Sequence, residues 1–236
     1  MKGNRKNYSA IIITGVILSL MIIGAFVTNK AVNVYTQNKP LEKRTCVIID
    51  AGHGGVDGGA VSYTGVEESM INLEIALRLN DLMHLLGIQT YMIRTEDISI
   101  YTSGETIAAK KVSDLKNRVK IINETSNGVL ISIHQNYFED SRYSGAQVFY
   151  KDDPTLAKQL QTAFVKTLNP GSNRKVKKAN EVYLMQNVNC PAALIECGFL
   201  SNQAEEAKLK SDDYQKKICC VIGSVMSCYI YNKNLA

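Results

Sequence analysis

Residues 45–60 of the chain read TCVIIDAGHGGVDGGA, and the order of strand, loop and helix that begins here predicts the class of the fold. The run at residues 46–49 is apolar and mostly β-branched, which predicts a buried strand. The strand ends at Asp50 and leads into a loop rich in glycine. A helix is predicted next, because apolar side chains recur at helical spacing until Gly87 ends the pattern; they are Ile71, Ile75, Leu79, Leu82 and Leu86.

The same alternation of strand and helix continues along the chain. The apolar runs have no alternating polar side, so we expect strands buried on both faces, as in a parallel sheet covered by helices. The predicted fold is an α/β three-layer sandwich, with a largely parallel, twisted sheet of about six strands and helices on both faces. The further predicted strands are 88–93, 129–133, 147–150, 182–185 and 192–195; the further helices are 112–124, 156–168, 204–210 and 214–231, and residues 97–111 are predicted to be a polar loop.

Length and charge restrict the classes of function. The chain has 236 residues, enough for one membrane segment and one medium-sized domain with a core of its own. Its net charge of +5 is a modest excess. Nucleic-acid binding is disfavoured, because the densest basic cluster has no neighbouring aromatic residues for base stacking; that cluster is Arg174, Lys175, Lys177 and Lys178.

The N-terminal region has the features of a membrane segment. Three basic residues precede an uncharged apolar run from Ala10 to Val27. At a rise of about 1.5 Å per residue, the run nearly spans a hydrocarbon core of about 30 Å. The preceding positive charge predicts a cytoplasmic N-terminus and an extracytoplasmic remainder. We therefore expect a membrane anchor or signal segment at 1–28, a linker at 29–44 and a catalytic domain at 45–236. An anchor is favoured over a cleaved signal, because no A-x-A site follows.

The six cysteines are interpreted as buried free thiols rather than a disulfide framework, since they flank or lie within apolar segments. The sequence contains no C-x-x-C pair, which disfavours a zinc site built from thiolates.

Two of the three histidines, His53 and His134, follow or end predicted strands. The carboxyl ends of parallel strands meet at one edge of a sheet, so these imidazoles could converge there. The third, His84, lies within a predicted helix and is interpreted as a partly exposed helical residue. A catalytic zinc ion needs three protein ligands and one open position. Two histidines would therefore need a third partner.

Acidic residues supply candidates for that partner and for a base. Glu67 and Glu68 begin the predicted helix, where the helix dipole favours a carboxylate in any case, so helix capping and metal binding are about equally good interpretations. Glu196 ends a predicted buried strand. A charge there is costly unless it is paired or functional, which makes Glu196 a candidate general base.

Four segments in the same order resemble motifs of the N-acetylmuramoyl-L-alanine amidases of the amidase-3 type. IDAGHGGVDGGA at 49–60 resembles the opening motif of that family, and GVEESMINL at 65–73 resembles its G-x-x-E-x-x-x-N-L. SIHQN at 132–136 resembles S-I-H-x-N, and LIECGFLSN at 194–202 resembles L-x-E-x-G-F-x-S-N. The resemblance covers about residues 45–232. Cys197 and Gln135 are small departures from it, where Thr and Ala are common.

The resemblance implies one zinc ion held by His53, Glu68 and His134, with Glu196 as the catalytic carboxylate. Glu68 is preferred to Glu67 because its spacing to Asn72-Leu73 matches the family motif. The implied reaction is hydrolysis of the amide between the lactyl group of muramic acid and L-alanine of the peptidoglycan stem peptide.

A minimal catalytic domain behind an N-terminal membrane segment resembles the sporulation and germination-specific amidases of the CwlD type. This implies an extracytoplasmic enzyme of the spore envelope, acting on cortex peptidoglycan as a step toward muramic δ-lactam. An accessory envelope protein or lipoprotein is an expected type of partner, although no motif in the sequence identifies a particular one.

Two other functions are open at this point. The first is a muropeptide-binding protein without activity, which the complete set of candidate ligands and Glu196 disfavours. The second is a zinc peptidase that cuts within the stem peptide, which the absence of an H-E-x-x-H motif disfavours. Arg94 and Arg118 are interpreted as structural residues, and Asn136 as a residue that could orient the site or the substrate.

Overall fold

The apolar run of the opening motif forms strand β1 (Cys46–Ala51) in the computed structural model, which describes residues 44–235. All six residues of this strand are buried. The elements that follow in chain order are α1 (Glu68–Leu85), β2 (Gln89–Met92), α2 (Ile107–Glu124), β3 (Gly128–Asn136), β4 (Gln147–Tyr150), α3 (Thr155–Thr167), β5 (Lys177–Lys178), α4 (Tyr183–Asn187), β6 (Ala192–Phe199), α5 (Gln203–Leu209) and α6 (Asp212–Leu235).

The strands form one six-stranded sheet in the order β2-β1-β3-β6-β4-β5. Strand β1 pairs in parallel with β2 and β3, and β3 pairs in parallel with β6. Strand β4 is antiparallel to β6 and pairs in parallel with the short edge strand β5. The predicted largely parallel sheet is thus confirmed, and the carboxyl ends of β1, β3 and β6 lie along one edge.

Helices cover both faces of the sheet. Because successive strand residues point to opposite faces, Val47 and Ile49 belong to one core and Ile48 to the other. The first core includes buried residues of α1, α3 and α6, and the second includes residues of α2 and α4. The alternation places Asp50 on the same face as Ile48, toward α2. The predicted three-layer arrangement is confirmed.

The strand predicted at residues 182–185 is wrong, because this segment forms the short helix α4. Its buried residues Leu184, Met185 and Val188 recur with helical spacing and pack in the second core. A four-residue apolar run does not distinguish a strand from a short helix. The sixth strand is instead β5, which consists of two exposed lysines. Charged residues of this kind are common on edge strands and give no apolar pattern.

Helix α2 begins at Ile107, five residues before the predicted start at 112. The side chain of Thr106 accepts a hydrogen bond from the amide of Ala109 at 3.2 Å, which caps the helix. The first turns of α2 therefore occupy part of the segment that was predicted to be a polar loop.

The predicted membrane segment at 1–28 lies outside the described residues, as does the linker at 29–44 apart from its last residue. Within residues 44–235, no helix combines the length and apolarity needed to cross a bilayer. The six cysteines are free, as expected. Cys220 and Cys228 are exposed, however, and Cys190 is only partly buried, so the prediction of buried thiols is confirmed for Cys46, Cys197 and Cys219 alone.

Candidate metal centre and active site

The carboxyl-terminal edge of the sheet brings together the four residues predicted for the site. His53 follows β1, while His134 and Glu196 are paired in register on β3 and β6. Glu68 is the first residue of α1. Three potential ligand atoms lie within 4.8 Å of one another: a ring nitrogen of His53, a carboxylate oxygen of Glu68 and a ring nitrogen of His134. These three side chains therefore form a compact group that could hold a metal ion.

Glu68 lies between the two imidazoles. Its Oε2 is 3.3 Å from Nε2 of His53, and its Oε1 is 2.9 Å from Nδ1 of His134. The two rings lie edge to face with their centroids 5.0 Å apart. Burial alone would raise the pKa of the Glu68 carboxyl, but hydrogen bonds and charges of His134 and His53 lower it well below its usual range. Glu68 is therefore an anionic ligand candidate at neutral pH.

Further hydrogen bonds fix the orientation of the Glu68 carboxylate. The backbone amide of Ala60 donates to Oε2 at 3.0 Å, and the backbone amide of Gln135 donates to Oε1 at 3.0 Å. The side-chain amide of Asn72 donates to the same Oε1 at 3.1 Å. Glu67 is the exposed N-cap residue of α1 and does not belong to the group. Glu68 therefore lies in the group of candidate ligands and Glu67 does not, a difference that helix capping could not predict.

His53 has an unusual backbone conformation, with φ at 61°. This left-handed region is uncommon for residues other than glycine and is found where surrounding contacts enforce it. Nδ1 of the ring donates a hydrogen bond to Oδ2 of Asp57 at 2.9 Å. Burial lowers the pKa of His53, but hydrogen bonds to Asp57 and Glu68 outweigh burial and raise this pKa to about 9.

Glu196 has an environment opposite to that of Glu68. Its Oε2 is buried and has no hydrogen-bond partner among residues 44–235. Burial raises the pKa of its carboxyl to about 7, against the opposing charge of His134. Two carboxyl groups in one site thus have pKa values on opposite sides of their usual range, which is the pattern of an acid–base residue beside an anionic one.

Two buried arginines support the loop that carries His53. Arg118 donates to the carbonyl oxygens of Ala51 at 2.9 Å and His53 at 2.7 Å. Arg94 donates to the carbonyl oxygens of Ala51 at 2.8 Å and Gly52 at 3.0 Å. These contacts satisfy backbone groups that leave the sheet at the end of β1, in keeping with the structural role predicted for both arginines.

A cleft of about 340 Å³ lies beside the group, on the face of the sheet covered by α2 and α4. His53, His134 and Glu196 line the cleft together with Lys111 of α2. The segment before and within α4, including Glu181, forms another wall. The catalytic candidates are therefore accessible from a concave surface large enough for part of a substrate.

Asp57 was not identified as a site residue by sequence reasoning. It lies four residues after His53 in a loop without helical pattern, and no spacing rule for strands or helices relates the two. Gln135 was noted only as a departure from the family motif, yet its backbone amide contacts Glu68 and its side chain donates to Asn72 at 3.1 Å. The role of Asp57 depends on the backbone conformation of one loop, and that of Gln135 on how distant segments pack.

Comparison with known proteins assigns the chain to a family. The family described as N-acetylmuramoyl-L-alanine amidase, Amidase_3, matches residues 47–224. The germination-specific N-acetylmuramoyl-L-alanine amidase of Bacillus subtilis (strain 168) is 38% identical over 181 residues, which are 75% of this chain and 76% of that protein.

Solved structures give the same assignment. The CwlD amidase from Clostridioides difficile, solved in complex with the GerS lipoprotein, has a TM-score of 0.76 and 37% identity, and the match covers 80% of this chain and 99% of that one. The amidase AmiC2 of Nostoc punctiforme has a TM-score of 0.67 and 26% identity, covering 79% of this chain and 97% of that one. The chain therefore belongs to the amidase-3 family of N-acetylmuramoyl-L-alanine amidases, with a germination-specific, CwlD-type enzyme among its relatives.

Proposed function

We propose that this amidase is zinc-dependent, with His53, Glu68 and His134 as the metal ligands and Glu196 as the catalytic carboxylate. The observation that carries the proposal is the approach of three donor groups within 4.8 Å of one another, beside a buried carboxylate oxygen without a partner. The bond cleaved is the amide between the lactyl group of muramic acid and L-alanine of the stem peptide.

The donor set fits zinc. Two imidazole nitrogens and one carboxylate oxygen are the ligands of many catalytic zinc sites, which keep a fourth position for water or substrate. The Glu68 carboxyl is already ionised at neutral pH, so no proton has to leave it when a cation binds. Bound zinc would supply a more acidic water molecule and a polarised amide carbonyl.

Glu196 supplies proton transfer. Its Oε2 has no hydrogen-bond partner among residues 44–235, so it is available to accept the proton of the attacking water. The same oxygen then returns this proton to the amine nitrogen of the departing L-alanine. Burial raises the pKa of this carboxyl, which favours its uptake of a proton from water.

The reaction products test this function. Purified peptidoglycan incubated with the protein should release intact stem peptides that begin with L-alanine and leave unsubstituted muramic acid, as identified by mass spectrometry. Incubation with a chelator should stop the release, and added zinc should restore it. Fragments cut within the stem would indicate a peptidase, and tight binding without any product would indicate a muropeptide-binding protein.

We further propose an extracytoplasmic role at the developing spore. The support is the name of the Bacillus subtilis relative, germination-specific, together with the basic and apolar pattern of residues 1–28. In this proposal residues 1–28 anchor the protein, residues 29–44 form a linker, and the domain at 45–236 acts on cortex peptidoglycan as a step toward muramic δ-lactam. Cortex and vegetative peptidoglycan compared under the same conditions would test the preference, which fails if vegetative material is cut equally well.

An accessory lipoprotein belongs to the same proposal. The support is that the related Clostridioides difficile amidase was solved in complex with a lipoprotein. Zinc content and rate of product release should both rise when the cognate lipoprotein is added to the full chain. The proposal of such a partner would be contradicted if the protein alone bound one zinc ion per chain and released product as fast as it does with the lipoprotein.

Gly52→Ala should weaken zinc binding without unfolding the protein. A Cβ atom on Gly52 would lie inside van der Waals distance of Cε1 and Nε2 of His134, so the imidazole has to leave its position. Displacing a ligand in this way should cost about 10- to 100-fold in zinc affinity, the scale seen when ligand orientation is disturbed. Competition with a chromogenic chelator measures the affinity.

Gly128→Ala is the matched control for Gly52→Ala. Its Cβ would meet the end of the flexible Ile48 side chain at 2.7 Å, at the other end of β3 from His134. Zinc affinity of this variant should equal that of the unsubstituted protein. Equal affinity in Gly52→Ala as well would contradict the assignment of His134 as a ligand.

A further inference from the structure

We propose that Asp57 is a positioning residue of the metal centre, which fixes the imidazole of His53 so that Nε2 is presented to the metal. The role rests on the zinc site proposed above and adds a residue to it. Its support is the contact between the two side chains, the path of the loop between them and a second contact from α2.

The contact determines which nitrogen of His53 carries the proton. Oδ2 of Asp57 is 2.9 Å from Nδ1 of His53, and Nε2 on the other side of the ring is 3.3 Å from Oε2 of Glu68. An ionised carboxylate only accepts hydrogen bonds, so Nδ1 must be the donor. A neutral imidazole with its proton on Nδ1 has its lone pair on Nε2, on the side of Glu68 and His134.

The loop holds Asp57 in this place. The backbone of residues 54–57 folds back on itself, because Gly54 and Asp57 exchange two backbone hydrogen bonds at 2.8 and 3.2 Å. His53 has the left-handed conformation that begins this turn, and Arg118 donates to its carbonyl oxygen. The fold of the loop thus places the two side chains next to one another.

Lys111 of α2 contacts the same carboxylate from another side. Its Nζ lies 3.1 Å from Oδ2 and 3.3 Å from Oδ1 of Asp57. Lys111 is about half exposed, so solvent screens this ion pair and its contribution to stability is small. Its contacts involve both carboxylate oxygens, including the Oδ2 that lies next to Nδ1 of His53.

The functional consequence concerns metal affinity. A carboxylate that accepts from the outer nitrogen of a ligating histidine fixes its tautomer and increases its basicity, and loss of such a partner typically costs 10- to 100-fold in metal affinity. Asp57 also lines the cleft beside the site, so its action through His53 is measured by zinc affinity and not by activity.

Asp57→Asn and Asp57→Ala, made in the full chain, test the role. Asparagine keeps the size and one acceptor oxygen but not the charge, so it should fold normally and bind zinc about 10-fold more weakly. Alanine also removes the hydrogen bond and should bind about 100-fold more weakly. Competition between the protein and a chromogenic chelator measures both affinities independently of activity, and thermal unfolding of the chelator-treated proteins checks that the fold is kept.

Asp97→Asn is the matched control. Asp97 accepts from the backbone amide of Gly55 at 3.0 Å, so it contacts the same loop and carries the same charge, but it does not contact His53. This variant should bind zinc as tightly as the unsubstituted protein. Unchanged zinc affinity in Asp57→Ala, or an equal loss in Asp97→Asn, would overturn the role of Asp57. Failure of the unsubstituted protein to bind zinc at all would instead overturn the zinc site itself.

The proton on Nδ1 gives a second readout. In the zinc-loaded protein, nuclear magnetic resonance should detect a slowly exchanging His53 Nδ1 proton, protected by Asp57 and absent in Asp57→Ala. A general loosening of the loop would not remove this resonance selectively while amide protons of β1 remain protected. The same resonance with unchanged exchange in Asp57→Ala would exclude the hydrogen bond.

Discussion

Glu196→Gln should reduce release of stem peptides by at least about 10²- to 10⁴-fold while zinc remains bound, because this range is the usual contribution of a positioned general acid–base group. Glutamine has the size of glutamate and preserves packing within β6, but it cannot accept a proton from water. The Glu196 carboxyl also has no hydrogen-bond partner within residues 44–235 at Oε2, so its replacement breaks no observed bond of that oxygen. Mass spectrometry of the soluble products gives the rate, and elemental analysis gives zinc per chain.

Glu67→Gln is the matched control for Glu196→Gln. Glu67 is an exposed acid next to Glu68, outside the group of candidate ligands. Its replacement removes the same charge near the same edge of the sheet, and the rate should stay at that of the unsubstituted enzyme. A wild-type rate in Glu196→Gln would remove Glu196 from the mechanism. Loss of zinc together with activity would identify Glu196 as part of the metal site rather than as a base.

The central part of the fold could be predicted from sequence because its strands are buried on both faces. Strands β1, β3 and β6 each contain a buried and mainly apolar run, and each run is followed by a polar residue of the site. Parallel pairing then requires that these residues meet at one edge. The convergence of His53, His134 and Glu196 follows from this rule together with the pattern of residues.

The periphery of the fold could not be predicted in the same way. Helix α4 and strand β5 have five and two residues, which is too short for a period to be measured. Their structures are determined by packing against the second core and by pairing with β4. Tertiary context rather than local propensity decides such short segments.

The contacts that support the site could not be predicted from the sequence either. Asp57 reaches His53 only because the backbone adopts a left-handed conformation at a residue that is not glycine. Arg118 reaches the carbonyl oxygen of His53 across 65 positions in the chain. Spacing rules describe residues on one element, whereas these contacts join a loop to a helix.

Arg118→Met should have the largest effect on stability of the substitutions considered. Arg118 is only 2% exposed and donates to Oδ1 of Asp50 and Oδ2 of Asp114, each at 2.6 Å. Methionine fills much of the space but leaves the buried Asp50 carboxylate without its cation. Removing one partner of a buried ion pair typically costs about 3–5 kcal/mol, so the free energy of unfolding should fall by that amount at pH 7.

The dependence on pH distinguishes this explanation from simple loss of packing. Burial alone would raise the pKa of Asp50, but the charge of Arg118 and the hydrogen bond from Ser132 lower it. A lowered carboxyl pKa stabilises the folded state above the unfolded value of about 3.9, and this stabilisation is lost as pH falls. In Arg118→Met the pKa of Asp50 should instead rise. As pH falls, the Asp50 carboxyl should then take up a proton, which removes its uncompensated charge. The difference in stability between the two proteins should therefore shrink from pH 7 toward pH 4.

Urea unfolding followed by circular dichroism at pH 7 and at pH 4 measures this difference. Arg142→Met is the matched control, since Arg142 is exposed and pairs with Asp140 at 2.7 Å on the surface, so its loss should leave stability nearly unchanged. The double variant Asp50→Asn, Arg118→Met should recover part of the loss, because the uncompensated charge is removed. A loss independent of pH, with no recovery in the double variant, would show that Arg118 stabilises the site through packing and backbone contacts and not through the charge of Asp50.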